Sequence, residues 1–208
     1  KVKGISRFED KARKISYNII SDRIEAGTFL MAAIITKSTI TLNNIIVDHI
    51  RSAIEKIKEV GGDILIHSES SLTVGCDENI KAIDIRTDVY PGFPTDMQPQ
   101  WISLMSISKG VSKIEDTVYF DRFSHIPELI RMGADIKLDK NIAKVNGVDS
   151  LKGADVMAGD LRGGAALVLA ALCARKNTLI SRIYHIDRGY ENFELKLKAL
   201  NVDIVRLK

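Results

Sequence analysis

The chain has 208 residues, 45% of them hydrophobic and 27% charged, with a formal net charge of +3. That length buries a sizeable core in one large domain or two small ones, and that composition excludes a disordered chain. The weak charge argues against a nucleic-acid binder, which carries a strong basic patch, yet leaves room for one cleft that holds small anions. Cys76 and Cys173 lack metal-ligand spacing and are too few for a disulfide scaffold. There is no signal peptide and no apolar run near the roughly 18 residues a membrane span needs, so we expect a cytoplasmic protein with no membrane partner. The chain opens on Lys1 rather than Met, and we expect a piece of a longer protein or a processed one.

In chain order, the first strong signal is Asp22, placed to cap a helix over 25–36. Its run Phe29-Leu30-Met31-Ala32-Ala33-Ile34-Ile35 has no wet face, which puts this helix inside the domain. A strand-like run follows at 39–42. Ile50, Ala53, Ile54, Ile57 and Val60 then follow amphipathic helical spacing. Gly61 is a normal stop for that helix, and a second strand is expected at 63–66.

The segment Tyr90-Pro91-Gly92-Phe93-Pro94-Thr95-Asp96 reads as a stiff turn that delivers Asp96 to a helix start. Pro99 fits only the first turn of that helix, which is expected over 97–108 and again apolar. A strand is expected at 113–118. A short amphipathic helix with Ile126, Leu129, Ile130 and Met132 ends at Gly133, before a strand at 135–138. Asp160-Leu161-Arg162-Gly163-Gly164 then opens a third apolar helix, over 161–174. Its paired glycines permit close backbone approach by a ligand, and Cys173 reads as buried filler. After a strand at 178–180, the segment 182–191 holds Arg182, His185, Arg188, Tyr184 and Tyr190. Those residues suit recognition of a planar anion, or else form a solvated turn with surface ion pairs. A last amphipathic face, Tyr190, Phe193, Leu197 and Leu200, stops at Asn201 before a strand at 203–206.

These elements repeat. Val60-Gly61-Gly62-Asp63-Ile64, Met132-Gly133-Ala134-Asp135-Ile136 and Leu200-Asn201-Val202-Asp203-Ile204 recur about every 70 residues. Each unit is a buried helix, a strand, an amphipathic helix and a strand pair. Three units bury three apolar helices together, put sheets outside and group the helix starts at one end. Helix starts carry unpaired N–H groups and partial positive charge, so their grouping suits phosphate or carboxylate. Asp22, Asp96 and Asp160 are caps, or caps with a further role.

Four segments resemble those of the UDP-N-acetylglucosamine enolpyruvyl transferase family. They are Asp22-Arg23-Ile24-Glu25-Ala26-Gly27-Thr28-Phe29, Phe93-Pro94-Thr95-Asp96-Met97-Gln98, Asp121-Arg122-Phe123-Ser124-His125-Ile126-Pro127-Glu128-Leu129 and 182–191. The resemblance runs in order from about Val2 to Lys208 and covers the second, C-terminal half of the family's chain. It implies an inside-out α/β barrel-like lobe of three βαβαββ-type repeats around buried parallel helices. Residues 1–20 would be the end of an absent lobe or the crossover from it. Residues 21–208 would be the lobe itself, with repeats at about 21–90, 91–158 and 159–208.

The implied activity is transfer of the enolpyruvyl group of phosphoenolpyruvate to the 3-hydroxyl of UDP-N-acetylglucosamine. In a bacterium this is the first committed step toward peptidoglycan, and so bears on cell-wall growth, shape and division. Carried over by motif, Asp96 is the catalytic carboxylate, and beside bound phosphates it would have a raised affinity for protons that suits a base. Arg162 and Arg188 lie near phosphoenolpyruvate and its leaving phosphate, and Asp160 orients them. Val118 contacts the UDP-sugar through its backbone, and Arg23 and Arg122 are cleft arginines. No cofactor or metal is implied. The partners are the two substrates and the missing N-terminal lobe, without nucleic acid or membrane. Neither cysteine matches the family's reactive loop. Ser21, Phe120 and the Gly163-Gly164 pair depart from the usual residues. The alternatives are the shikimate-pathway enolpyruvyl transferase and a non-catalytic nucleotide-sugar-binding paralogue.

Overall fold

A computed structural model describes residue 4 and residues 16–76 and 79–207. Three helices form its axis: α1 (Arg23–Ile35), α3 (Gln98–Met105) and α5 (Leu161–Cys173). All of α3 is buried, and α1 buries every residue from Ile24 to Ile35 except Glu25. Each fully buried Leu, Ile or Met contributes about 1.5–3 kcal/mol, so apolar content holds the axis together. The helices run parallel, because their contacts stay in step. Gln100 Nε2 meets Thr28 Oγ1 at 3.2 Å, Arg162 Nη2 meets Asp96 Oδ2 at 3.0 Å, and Ser103 Oγ donates to the Ala166 carbonyl at 2.8 Å.

The outer helices are α2 (Arg51–Glu59), α4 (Ile126–Arg131), α6 (Tyr184–Asp187) and α7 (Phe193–Ala199). A 3₁₀ turn, Val47–Ile50, leads into α2. α2, α4 and α7 end at residues with positive φ: Gly61 at 103°, Gly133 at 94° and Asn201 at 64°. The left-handed turn read from each stop residue is therefore formed.

The strands are β1 (Ile40–Asn43), β2 (Asp63–Ser68), β3 (Ser71–Gly75), β4 (Ile85–Arg86), β5 (Val111–Glu115), β6 (Asp135–Asp139), β7 (Ile142–Asn146), β8 (Asp155–Met157) and β9 (Leu179–Ser181). The antiparallel order β1-β3-β2 recurs as β5-β7-β6, and β4 joins the second sheet in parallel beside β5. β8 pairs with β9 in the same parallel manner. These are three separate open sheets, so the mixed α/β class stands, and no closed barrel forms among the described residues.

Local corrections have local causes. Residues 203–206 form no strand. β2 and β6 each have a following strand to pair with, whereas Arg206 is fixed by Asp187 at 2.6 Å and Glu194 at 2.9 Å. β5 stops at Glu115 rather than 118, because the Asp116 carboxylate takes the N–H groups of Val118 and Tyr119. Cys173 is only half-buried, at the end of α5, while Cys76 is buried. Among the described residues, no helix is long and apolar enough to cross a membrane.

Candidate active site

The three axial helices start in two different ways. Asp22 caps α1 by accepting the Ile24 N–H at 2.7 Å. Asp160 caps α5 by accepting the N–H groups of Arg162 and Gly163 at 2.8 and 2.9 Å. Asp96 caps nothing. It lies inside a 3₁₀ turn, Thr95–Met97, and that turn and α3 have no side-chain cap. Pro94 sets an extended entry and Pro99 lies in the first turn of α3. The Asp96 carboxylate is therefore left to face side chains from elsewhere in the chain.

Those side chains are two arginines. Arg122, from the loop before α4, gives Nη1 to Asp96 Oδ1, and Arg162, from the first turn of α5, gives Nη2 to Oδ2 at 3.0 Å. Side-chain exposure is 34% for Asp96, 20% for Arg122 and 15% for Arg162, so the cluster sits at the surface end of the axis. Aromatic rings hold both guanidiniums, Arg122 over Tyr119 at 5.0 Å and Arg162 over Tyr190 at 5.9 Å. Arg162 Nη1 is buried with no hydrogen-bond partner among the described residues. A buried donor of this kind calls for an acceptor.

The electrostatics of Asp96 are set by its two arginines. Burial is the largest influence on the Asp96 carboxyl and opposes its charge, but Arg162, Arg122 and their hydrogen bonds together outweigh it. The carboxyl is held below its usual range, and its affinity for protons is lowered rather than raised. Asp160 follows similar logic with different donors. Burial opposes its charge most, and the Gly163 N–H, the Ser124 hydroxyl, the Arg162 N–H and His125 outweigh it. Its link to Arg162 runs through the backbone, not the guanidinium.

The remaining expected residues are more scattered. Arg188 is exposed, and its side chain makes no hydrogen bond or ion pair among the described residues. Arg23 lies over the Tyr90 ring at 5.4 Å and has no contact with Asp96. Val118 is exposed, and its N–H donates to Asp116 at 3.0 Å. The glycine pair admits side chains of the protein rather than open space. A Cβ at Gly164 would lie 2.7 Å from Ile186, and one at Gly163 would lie 3.1 Å from the His125 Cβ.

The motif reading gave Tyr190, His125 and Asp116 no part in holding the helix starts. Tyr190 is buried, and its hydroxyl joins Thr28 at 2.9 Å and Gln100 at 3.2 Å. Thr28 gives its own proton to the Ile24 carbonyl, so Tyr190 donates to Thr28. This knot joins α1 to α3 beneath the Arg162 guanidinium of α5, which lies over the Tyr190 ring. His125 is buried with neither ring nitrogen paired among the described residues, and burial pushes it down to about 4. Asp116 is buried, with four donors on its carboxylate. A lone aspartate or histidine carries no local pattern, so only the adjoining Asp-Arg-Phe-Ser-His motif pointed toward His125. Among the described residues no cluster of three or more His, Cys, Asp or Glu could hold a metal.

A family model described as EPSP synthase (3-phosphoshikimate 1-carboxyvinyltransferase) matches residues 1–197. The chain belongs to this family. Within the EPSP synthase family its sequence is similar to proteins named UDP-N-acetylglucosamine 1-carboxyvinyltransferase. The Caldanaerobacter subterraneus protein is 51% identical over 190 residues, covering 91% of this chain and 46% of the relative. The Campylobacter lari protein is 50% identical over 192 residues, covering 92% and 46%. The Clostridium perfringens protein is 49% identical over 200 residues, covering 95% and 48%. The chain thus spans about half the length of the curated relatives it matches. Two solved structures share the fold. One is the enolpyruvyl transferase NikO from Streptomyces tendae, with TM-score 0.80 and 24% identity over 89% of this chain and 44% of that one. The other is EPSP synthase from Acinetobacter baumannii, with TM-score 0.70 and 14% identity over 92% and 45%.

Proposed function

We propose that this chain is the C-terminal lobe of a bacterial, cytoplasmic enzyme that moves enolpyruvyl from phosphoenolpyruvate to the 3-hydroxyl of UDP-N-acetylglucosamine. The observation that carries the reading is Asp96, free of any capping role and bracketed by Arg122 and Arg162 at the shared start of the buried helices. The names of relatives near 50% identity choose the acceptor sugar. Residues 21–208 are proposed as a lobe of three βαβαββ-type repeats in an inside-out, barrel-like arrangement, with 1–20 as the end of the other lobe or the crossover from it. The other lobe supplies the opposite wall of the cleft.

In this reading the sugar 3-oxygen bonds to C2 of phosphoenolpyruvate while Asp96 takes the hydroxyl proton and the C3 methylene gains one. Loss of phosphate and of a C3 proton from the adduct then gives the enol ether. Forked guanidiniums match the carboxylate and phosphate oxygens, and the unpartnered Nη1 of Arg162 is a donor for one of them. Substrate anions that draw Arg122 and Arg162 away from Asp96 remove the cause of its lowered pKa. Substrate binding itself thereby makes Asp96 a better base. Arg188, exposed and unpaired, is positioned to join only when the cleft closes, and Arg23 and Val118 lie at its rim.

The test is phosphate release from phosphoenolpyruvate by the complete protein. Release that depends on UDP-N-acetylglucosamine and not on shikimate 3-phosphate is expected, with none from residues 1–208 alone. Turnover by the isolated chain would show that the other lobe is not needed.

A further inference from the structure

We propose that Asp116 is a positioning residue whose buried carboxylate clasps both ends of the 88–94 loop and so sets where Asp96 stands. This rests on the reading of Asp96 as the base. Asp116 Oδ1 accepts the Thr87 hydroxyl at 2.8 Å, and Oδ2 accepts the Thr95 hydroxyl at 2.7 Å. Thr87 is the last residue before the loop, Thr95 the first after it, and Asp96 comes next. The seven intervening residues include Pro91, Gly92 and Pro94, so the loop has little freedom once its ends are fixed.

The same carboxylate reaches the other half of the ion pair. Oδ1 accepts the N–H groups of Val118 at 3.0 Å and Tyr119 at 2.9 Å, in the turn that leads to Arg122. Thr117 closes the frame, with its N–H on Thr87 Oγ1 at 3.0 Å. The backbone of Asp116 is itself fixed. Its N–H donates to the Asn141 carbonyl and its carbonyl accepts from Asn141 Nδ2, each at 2.9 Å. A fully buried carboxylate with no cationic partner among the described residues must be held by hydrogen bonds. A turn at the end of β5 needs only the two N–H bonds. The two threonine hydroxyls come from residues far away in sequence, and they adjoin the loop that carries Asp96. That placement sets a clasp apart from an ordinary turn.

The consequence is kinetic, because a small misplacement of a reacting group is costly in rate. Thr95→Val in the complete protein keeps the shape of residue 95 and removes one hydroxyl. It is expected to lower kcat about tenfold, with KM for both substrates within about twofold. Thr95→Ser, which restores the hydroxyl, should return kcat to near the wild-type value. Hydrogen–deuterium exchange over 88–97 should be faster in Thr95→Val than in wild type. Wild-type kcat in Thr95→Val overturns the proposal, and so does a lowered melting temperature with kcat unchanged. If the wild-type protein itself shows no sugar-dependent phosphate release, the functional reading fails and exchange alone decides. Faster exchange over 88–97 then supports the clasp, and unchanged exchange removes it. Asp116→Ala removes every bond at once and risks misfolding, which is why the threonine pair is the primary test.

Discussion

α1 and α3 begin at the same end of the molecule, each beside an aspartate, yet the two carboxylates have opposite fates. Asp22 is consumed by its own helix, accepting the Ile24 N–H. Asp96 sits in a 3₁₀ segment just before α3 and, among the described residues, is held only by Arg122 and Arg162. The difference arises before the helix. Ordinary chain leads to Asp22, whereas a clasped, proline-rich loop leads to Asp96. A capping carboxylate is satisfied locally and has little left to offer. One denied its cap can be aimed at something else.

Substitutions can break or sharpen that contrast. The largest effect is expected from Asp96→Asn in the complete protein, a loss of about 10²–10⁴ in kcat, the usual worth of an acid–base group. A rate within threefold of wild type would remove Asp96 from the role of base. Its ion pairs also bear on stability. The folded-state pKa is lowered, so their contribution is present above the ordinary carboxylate range and is lost as pH falls through the lowered value. Asp96→Asn should blunt that acid loss, which urea titrations at falling pH would measure.

The next effect belongs to His125, which precedes α4 and packs against the start of α5. Burial keeps His125 neutral in the folded protein down to about 4, while the unfolded chain gains the proton near 6.5. Between those values the unfolded state holds more protons, so stability falls by up to about 3 kcal/mol as pH drops. His125→Gln should flatten the urea midpoint across this window. An unchanged slope would place the acid loss elsewhere.

Smaller still are the caps. Asp160→Ala removes two backbone acceptor bonds and the Ser124 contact. It is expected to cost about 1–2 kcal/mol of unfolding free energy. Asp22→Ala removes one bond and should cost about 0.5–1 kcal/mol, with turnover within twofold of wild type. A tenfold loss of turnover in Asp22→Ala would erase the contrast between the two helix starts.

The axial helices were legible because a run of apolar residues on every side has only one place to go. The stops at Gly61, Gly133 and Asn201 were legible because each needs a left-handed residue. What was not legible depended on distant partners. The proton affinity of Asp96 is set by arginines 26 and 66 residues away. The Gly163-Gly164 pair looked like room for a ligand, while the nearby atoms belong to Ile186 and His125. Residues 203–206 alternate like a strand, but β character is realised only against a partner. Asp116 was read as strand, because nothing adjacent announces that two threonines will converge on it.

The three sheets share no strand, and this separation governs how the molecule tolerates change. A residue added at the β2–β3 turn, near Glu69, perturbs one ladder and the bonds that Ile45 and Val47 give to the Ser70 and Glu69 carbonyls. A methyl group added at Gly164 meets Ile186 at 2.7 Å on a helix that packs against both others. Damage at the periphery stays local, whereas damage on the axis is shared by every part of the lobe. The outer surface is thus the place to graft new sequence, and the axis is the part to leave untouched.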